Sequence, residues 1–339
     1  MQAGLRGESC SINVVPLFVM EKLYMEKKLK IFLPYDEQIA LLESRDLEIP
    51  NKEDAQHYLE TLGYFELING YKDLFLTKRH PEEKYRDNSQ FMDIVNLYMY
   101  DYQLRLDLLA AIYIIEKSIK STISYVFSNR YGENHNNYLQ PTSFDERPEN
   151  AERVASTIQT MRDIIIDNQA KGNKLICHYL NNHGYVPLWV LFNFATFGNV
   201  SVFYANLKDK EQVDIANHYS LSPSRLKSIT RFITAVRNAC AHGKRIYTLG
   251  SDLVHPLTIP NMPIRNSLTI PANTGTCDLV AVLICCYYLL PYKSFKELID
   301  NLKHGLDSIK QERFYSSILN KTHLQRRNLD TLLMSKSQT

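Results

Sequence analysis

The chain has 339 residues, 45% of them hydrophobic and 22% charged, with a formal net charge of +2. That length and apolar content can fill a sizeable core, and the near-neutral balance excludes the bulk charge signature of a nucleic-acid binder, so any RNA or DNA contact must come from local basic patches. No apolar run reaches the roughly 18–20 residues that span a bilayer, and the six cysteines form no CxxC pair and no zinc-binding spacing, which points to free thiols in a reducing cytoplasm.

In chain order, the first stretch contains "INVVPLFVM" with no basic region before it and no small-residue cleavage site after it, so it does not read as a signal peptide. Met25 opens "MEKKLKIFLPYDEQ", which reads like a natural start, and residues 1–24 are expected to be a dispensable extension. Helical patterns cover residues 34–44 and 53–62. The clearest period runs from Phe91 to Arg130, where Ile94, Leu97, Leu104, Leu108, Ile112, Ile115, Ile119, Ile123 and Val126 share an arc of about 100° and Gly132 follows as a stop. Two charged groups intrude on that arc. Asp101 lies near its middle, and Arg105 follows at the i,i+4 spacing that lets the two pair. Glu116 lies at the margin, on the same line as Arg105.

Helical patterns recur at 150–169 and 187–206, the second holding "PLWVLF", whose Trp189 is expected in the core. From Ser222, a good N-cap, and Pro223, suited to the first helical position, Leu226, Ile229, Ile233, Val236 and Cys240 repeat at threes and fours until Gly243. Residues 253–270 contain three prolines and alternating apolar residues, which fits a long loop or a small hairpin. Two more helices are expected at 278–290 and 294–310, the first carrying adjacent Cys285 and Cys286 in a buried apolar segment. Residues 311–339, with "LQRRNL", read as a polar, basic tail, more in keeping with a solvated terminus than an RNA-facing segment. The fold class is all-α, one mainly helical domain over 25–310.

The helix from Ser222 ends in "RNACAH", residues 237–242. Arg237 sits at the edge of the apolar stripe, and His242 comes about 140° round the helix and about 7.5 Å along it. His242 falls in the last turn, where the carbonyl end of a helix attracts positive charge. A permanent cation beside a titrating imidazole suits phosphoryl chemistry, one neutralising phosphate and the other moving protons. The same string also arises by chance, and a histidine at a helix end commonly serves only as a C-cap. For Asp101 and Arg105 a buried structural ion pair competes with a place in the cleft. The remaining histidines, such as His178 with His183, lack metal-ligand spacing, and no metal or cofactor is expected.

Several segments in order resemble the Abi-like (AbiD/AbiF) abortive-infection family over roughly residues 29–310. They are "YDEQIALLESRDLEI" at 35–49, "YLETLGYFELINGYKDLF" at 58–75, "LYMYDYQLRLDLLAAIYIIEKSIKSTISY" at 97–125, "VPLWVLFNFATFGNVSVFY" at 186–204 and "VRNACAH" at 236–242. That family is similar to the HEPN superfamily, helical proteins whose RxxxxH element cleaves RNA without a metal. The resemblance implies a HEPN-like helical bundle, its core at about 91–310, with extra helices and a small loop or hairpin insertion. It implies that Arg237 and His242 are the catalytic pair, with Asn238 as the polar residue that often follows the arginine. Glu116 stands where a polar residue from an earlier helix often supports the motif, and Asp101 and Arg105 are further supporting candidates. Asp46 departs from the family at a place where relatives often have glycine.

The function implied is a metal-independent endoribonuclease, a hydrolase leaving 2′,3′-cyclic phosphate ends, that acts as the toxin of an antiviral toxin–antitoxin system. A small non-coding RNA antitoxin and a homodimer are the partners implied, with no membrane. Loss of catalysis would leave an RNA-binding or phage-sensing module. A role as partner to a nucleotidyltransferase is a third reading, although no transferase motif lies in this chain.

Overall fold

The structure is a computed structural model, and it describes residues 32–79, 82–250 and 259–338. The expected N-terminal extension and residues 253–258 of the proline-rich segment lie outside those residues. Helix α1 (Tyr35–Glu43) is followed by α2 (Lys52–Leu62), whose cap Asn51 accepts from the N–H groups of Glu53 and Asp54. Between them Asp46 adopts φ +68°, a conformation that glycine takes without strain and aspartate tolerates. This position is a left-handed corner, and Lys84 pairs with the Asp46 carboxylate at 2.8 Å.

After Gly63 the chain makes a π-helical turn at Phe65–Asn69, then a two-stranded antiparallel hairpin of β1 (Leu76–Lys78) and β2 (Lys84–Tyr85). Helix α3 (Phe91–Tyr131) is 41 residues long, about 60 Å. It begins with a reciprocal cap between Gln90 and Asp93 and ends at Gly132 with φ +84°. Eight of the nine residues on its predicted apolar arc are buried, and Val126 is half-buried against the core.

The next elements are α4 (Ala151–Ala170), α5 (Lys174–His183), α6 (Phe197–Ala205), α7 (Asp209–Asn217) and α8 (Pro223–Ala241). The single helix expected over 187–206 is broken. One turn at Leu188–Leu191 ends where the Asn193 amide donates to the carbonyls of Trp189 and Val190, and Thr196 then caps α6. Because that turn directs Leu188, Val190 and Leu191 inward, Trp189 faces outward at 47% exposure. The expectation of a core tryptophan is corrected.

Helix α9 (Leu279–Leu289) is apolar on all sides and buried at every position except half-buried Tyr288, as such a sequence requires. Helix α10 (Tyr292–Ser308) packs along α3. The stretch expected as a tail instead folds into α11 (Tyr315–Thr322) and α12 (Arg326–Lys336), with Ile318, Leu324, Leu329 and Leu332 buried. In the proline-rich segment the described part is a 3₁₀ turn at Pro263–Ser267. No helix among the described residues is long and apolar enough to cross a membrane.

The architecture is an all-α bundle built round α3, which contacts α7, α8, α9 and α10. Helix α8 runs antiparallel to it. Tyr219, just before α8, hydrogen-bonds with Ser118 and Thr122, while the backbone beyond its far end bonds Asp101. Because Ile318 and Leu329 are fully enclosed, Ile318→Ala and Leu329→Ala should each cost about 2–5 kcal/mol, measured by urea unfolding. Wild-type stability in both variants would mean that the C-terminal helices do not belong to the core.

Candidate functional site

Helix α8 starts on Ser222, whose hydroxyl accepts the Arg225 N–H, and Pro223, as its sequence dictates. It closes in a double turn in which Gly243 N–H donates to the Cys240 carbonyl and Lys244 N–H to the Ala239 carbonyl, with Gly243 at φ +70°. Val236, Ala239 and Cys240 are buried, whereas Arg237, Asn238, Ala241, His242 and Lys244 are exposed. The Cys240 thiol is pushed up to about 12, chiefly by burial and secondarily by the Asp101 charge, so it fills space and is no nucleophile at neutral pH. Arg237 Nη1 reaches the Asn238 side-chain oxygen at 3.5 Å, and neither Arg237 nor His242 has an ion-pair partner among the described residues.

Four and five residues past His242 the chain is pinned. The Asp101 carboxylate, wholly buried on α3, accepts the N–H groups of Ile246 at 3.0 Å and Tyr247 at 2.7 Å. It also accepts the Tyr71 hydroxyl at 2.8 Å and pairs with Arg105 at 2.5 Å. Arg105 donates to the Tyr71 oxygen at 2.9 Å, approaches the Lys244 carbonyl at 3.5 Å, and lies against the rings of Tyr98 and Tyr102. Burial lifts the Asp101 carboxyl above its ordinary value, against the pull of Arg105 and of the hydrogen bonds from Tyr71, Tyr247 and Ile246. The Arg105 guanidinium is held above its ordinary value although burial opposes this, because Tyr71 and Asp101 favour its charged form.

Asp101 and Arg105 therefore support the motif from beneath and do not face its solvent side. Glu116 is not brought to it. It lies fifteen residues along α3 from Asp101, about 22 Å, beside the opposite end of α8, where Lys120 binds it at 2.6 Å and also donates to the Ala195 carbonyl. Sequence reasoning missed Tyr71 and the residues just past the motif. Lys244 and Arg245, with Gly243, form one wall of an open cleft of about 340 Å³, and the π-helical turn with Tyr71 forms the other. The available signal was the pair of glycines, Gly63 and Gly70, framing that turn. Among the described residues no group of three or more His, Cys, Asp or Glu side chains is placed to hold a metal ion.

The stretch from the middle of α2 to just past Tyr247, residues 57–248, matches a family model described as Abi-like protein, over more than half of the chain. The chain belongs to the Abi-like protein family. No curated protein and no solved structure matches it. Membership implies a part in abortive-infection, antiviral defence, and the matched stretch holds the cleft, α3, the buried network and the RNACAH turn of this Abi-like chain together.

Asp101→Asn leaves the buried Arg105 charge without a counter-charge and should cost about 3–5 kcal/mol. It should also speed hydrogen exchange at the amides of Ile246 and Tyr247 well beyond any global effect. Unchanged protection at those two amides would show that Asp101 does not anchor the segment.

Proposed function

We propose that this Abi-like chain is a metal-independent endoribonuclease of HEPN type, the toxic effector of an abortive-infection system. One observation carries the reading: Arg237 and His242, exposed and without ion-pair partners, sit on a turn whose next residues are fixed to the core by Asp101. A cation free to meet phosphate and an imidazole free to exchange protons, on a rigid mount, suit cleavage of a phosphodiester. The 2′-hydroxyl of RNA attacks the adjacent phosphorus while imidazole takes its proton. The bond from phosphorus to the 5′-oxygen breaks, and imidazolium returns a proton to that oxygen. The products are a 2′,3′-cyclic phosphate and a 5′-hydroxyl, and Arg237 stabilises the charge on the phosphoryl oxygens. A small non-coding RNA restrains the toxin.

The working form is a homodimer. Arg237 and His242 point about 140° apart on one helix, so two copies of the motif meeting at a two-fold axis can supply both groups to one phosphate. Of the small residues near the motif, Ala241 is exposed and Ala235 half-buried, whereas Ala239 is already buried within the chain. A second feature favours pairing on this side. Met99, Tyr102, Leu106 and Tyr113 are exposed on α3 at helical spacing, with half-buried Leu109 between them, and Tyr102 lies against the Arg105 that reaches the Lys244 carbonyl.

Arg237→Ala and His242→Ala should each lower RNA cleavage about 10²–10⁴-fold and end toxicity with the fold intact. Arg237→Lys should also fail, because a point charge does not replace a planar fork on phosphate. Cleavage should survive EDTA, and loss on chelation with rescue by magnesium would overturn the mechanism. Leu106→Glu should give a monomer in sedimentation velocity and a nearly inactive enzyme. A monomer that cuts at the full rate would rule out the shared site.

A further inference from the structure

Phe65, the first residue of the π-helical turn, is 71% exposed although it sits among well-packed neighbours. Leu67 and Ile68 of the same turn are fully buried. Tyr71 beneath it donates to Asp101, and Arg245 Nη1 donates to the Gly70 carbonyl at 2.8 Å. The ring is thus presented on a fixed platform, and π-helical turns concentrate at functional positions. The opposite wall of the cleft begins at Gly243, the residue after His242. A Cβ at Gly70 or Gly243 would meet nothing within 4 Å, so both walls present bare backbone to open space.

The charges complete the pattern. Lys244 on the far wall is exposed and has no ion pair among the described residues, and Arg237 and His242 lie within two turns of it on the same helix end. On the near wall the Asn69 side-chain oxygen accepts from Lys72 at 2.8 Å, which leaves its amide as a donor, and Glu66 offers an acceptor. An aromatic face, a hydrogen-bond donor and acceptor at its edge, and cations for the flanking phosphates are together the complement of a base on a sugar–phosphate chain.

We propose that this cleft is a subsite for one unpaired RNA base, stacked on Phe65 beside the phosphate that Arg237 and His242 handle. The identity of the polymer rests on the ribonuclease reading. A base inside a duplex has both faces covered and cannot stack on a side chain, so the substrate class is single-stranded RNA or a loop.

The test uses the full chain carrying His242→Ala, titrated with a short single-stranded RNA containing 2-aminopurine and with a duplex of the same sequence. Adding Phe65→Ala should weaken single-strand binding about tenfold or more and remove the fluorescence quenching that stacking causes. Phe65→Trp should restore both, and duplex binding should not respond. Tyr125→Ala, an exposed aromatic far along α3, serves as the control and should change nothing. Single-strand binding that is indifferent to Phe65→Ala overturns the subsite, including the case in which Phe65 is covered by a protein partner. Failure of the chain to bind any RNA overturns the subsite and the ribonuclease reading together. Cleavage by the chain with His242 intact separates the two: full-rate cutting by Phe65→Ala removes only the subsite, whereas Phe65-dependent binding without cutting removes only the ribonuclease.

Discussion

One buried carboxylate organises the end of the molecule that carries the RNACAH turn. Asp101 gathers two backbone N–H groups from the segment after α8, a hydroxyl from the segment before β1 and a guanidinium from its own helix. A carboxylate removed from water is tolerable only when such partners replace its hydration. Each partner is in turn committed: Tyr71 both donates to Asp101 and accepts from Arg105, whose plane rests on two tyrosine rings. The two walls of the cleft therefore cannot move independently, because both end on the same carboxylate.

Half of this arrangement was legible in the sequence. The i,i+4 spacing of Asp101 and Arg105 on an otherwise apolar arc announced an ion pair, since two charges on a buried face need each other. The caps of α8, Ser222 and Gly243, were legible for local reasons too. Tyr71, Ile246 and Tyr247 were not, because their bonds to α3 join positions 30 and about 145 residues apart, and no local period encodes them. The outward side of Trp189 was not legible, because a one-turn helix has too few residues for periodicity to say which side points inward. The C-terminal helices were missed because Ile318, Leu324, Leu329 and Leu332 are spread among polar residues. Glu116 lay on the right line of the helical wheel but at the wrong height, a coordinate that a wheel discards.

The family match ends at residue 248, yet the core does not. Helix α9 packs against α3 and α8 and is apolar all round, so α3 and α8 would expose apolar surface without it. Helix α10 then covers α3 near its N-terminal half, where Asn301 donates to Asp107 and Gly305 lies next to the Tyr100 ring. The described residues after the match thus complete the burial of the helix that carries Asp101.

On the proposed ribonuclease reading, what remains open on α8 narrows the kind of substrate it serves. Helices α3, α6, α7 and α9 occupy its sides, which leaves a stripe through Ser224, Ser228, Arg231, Ala235, Asn238 and His242, with exposed Arg237 about 140° round the helix from it. An enclosed pocket for a small metabolite surrounds its ligand with walls, and this stripe has none at His242. A chain-like polyanion needs no enclosure, because it can lie along an open surface and bring one phosphate to the motif while its neighbours meet other cations. On the ribonuclease reading we propose, the second wall that general acid–base chemistry requires comes from the cleft at Phe65, from a facing copy, or from both. In the homodimer we propose, the exposed apolar residues of α3, one of which lies against Arg105, are the surface that receives the facing copy.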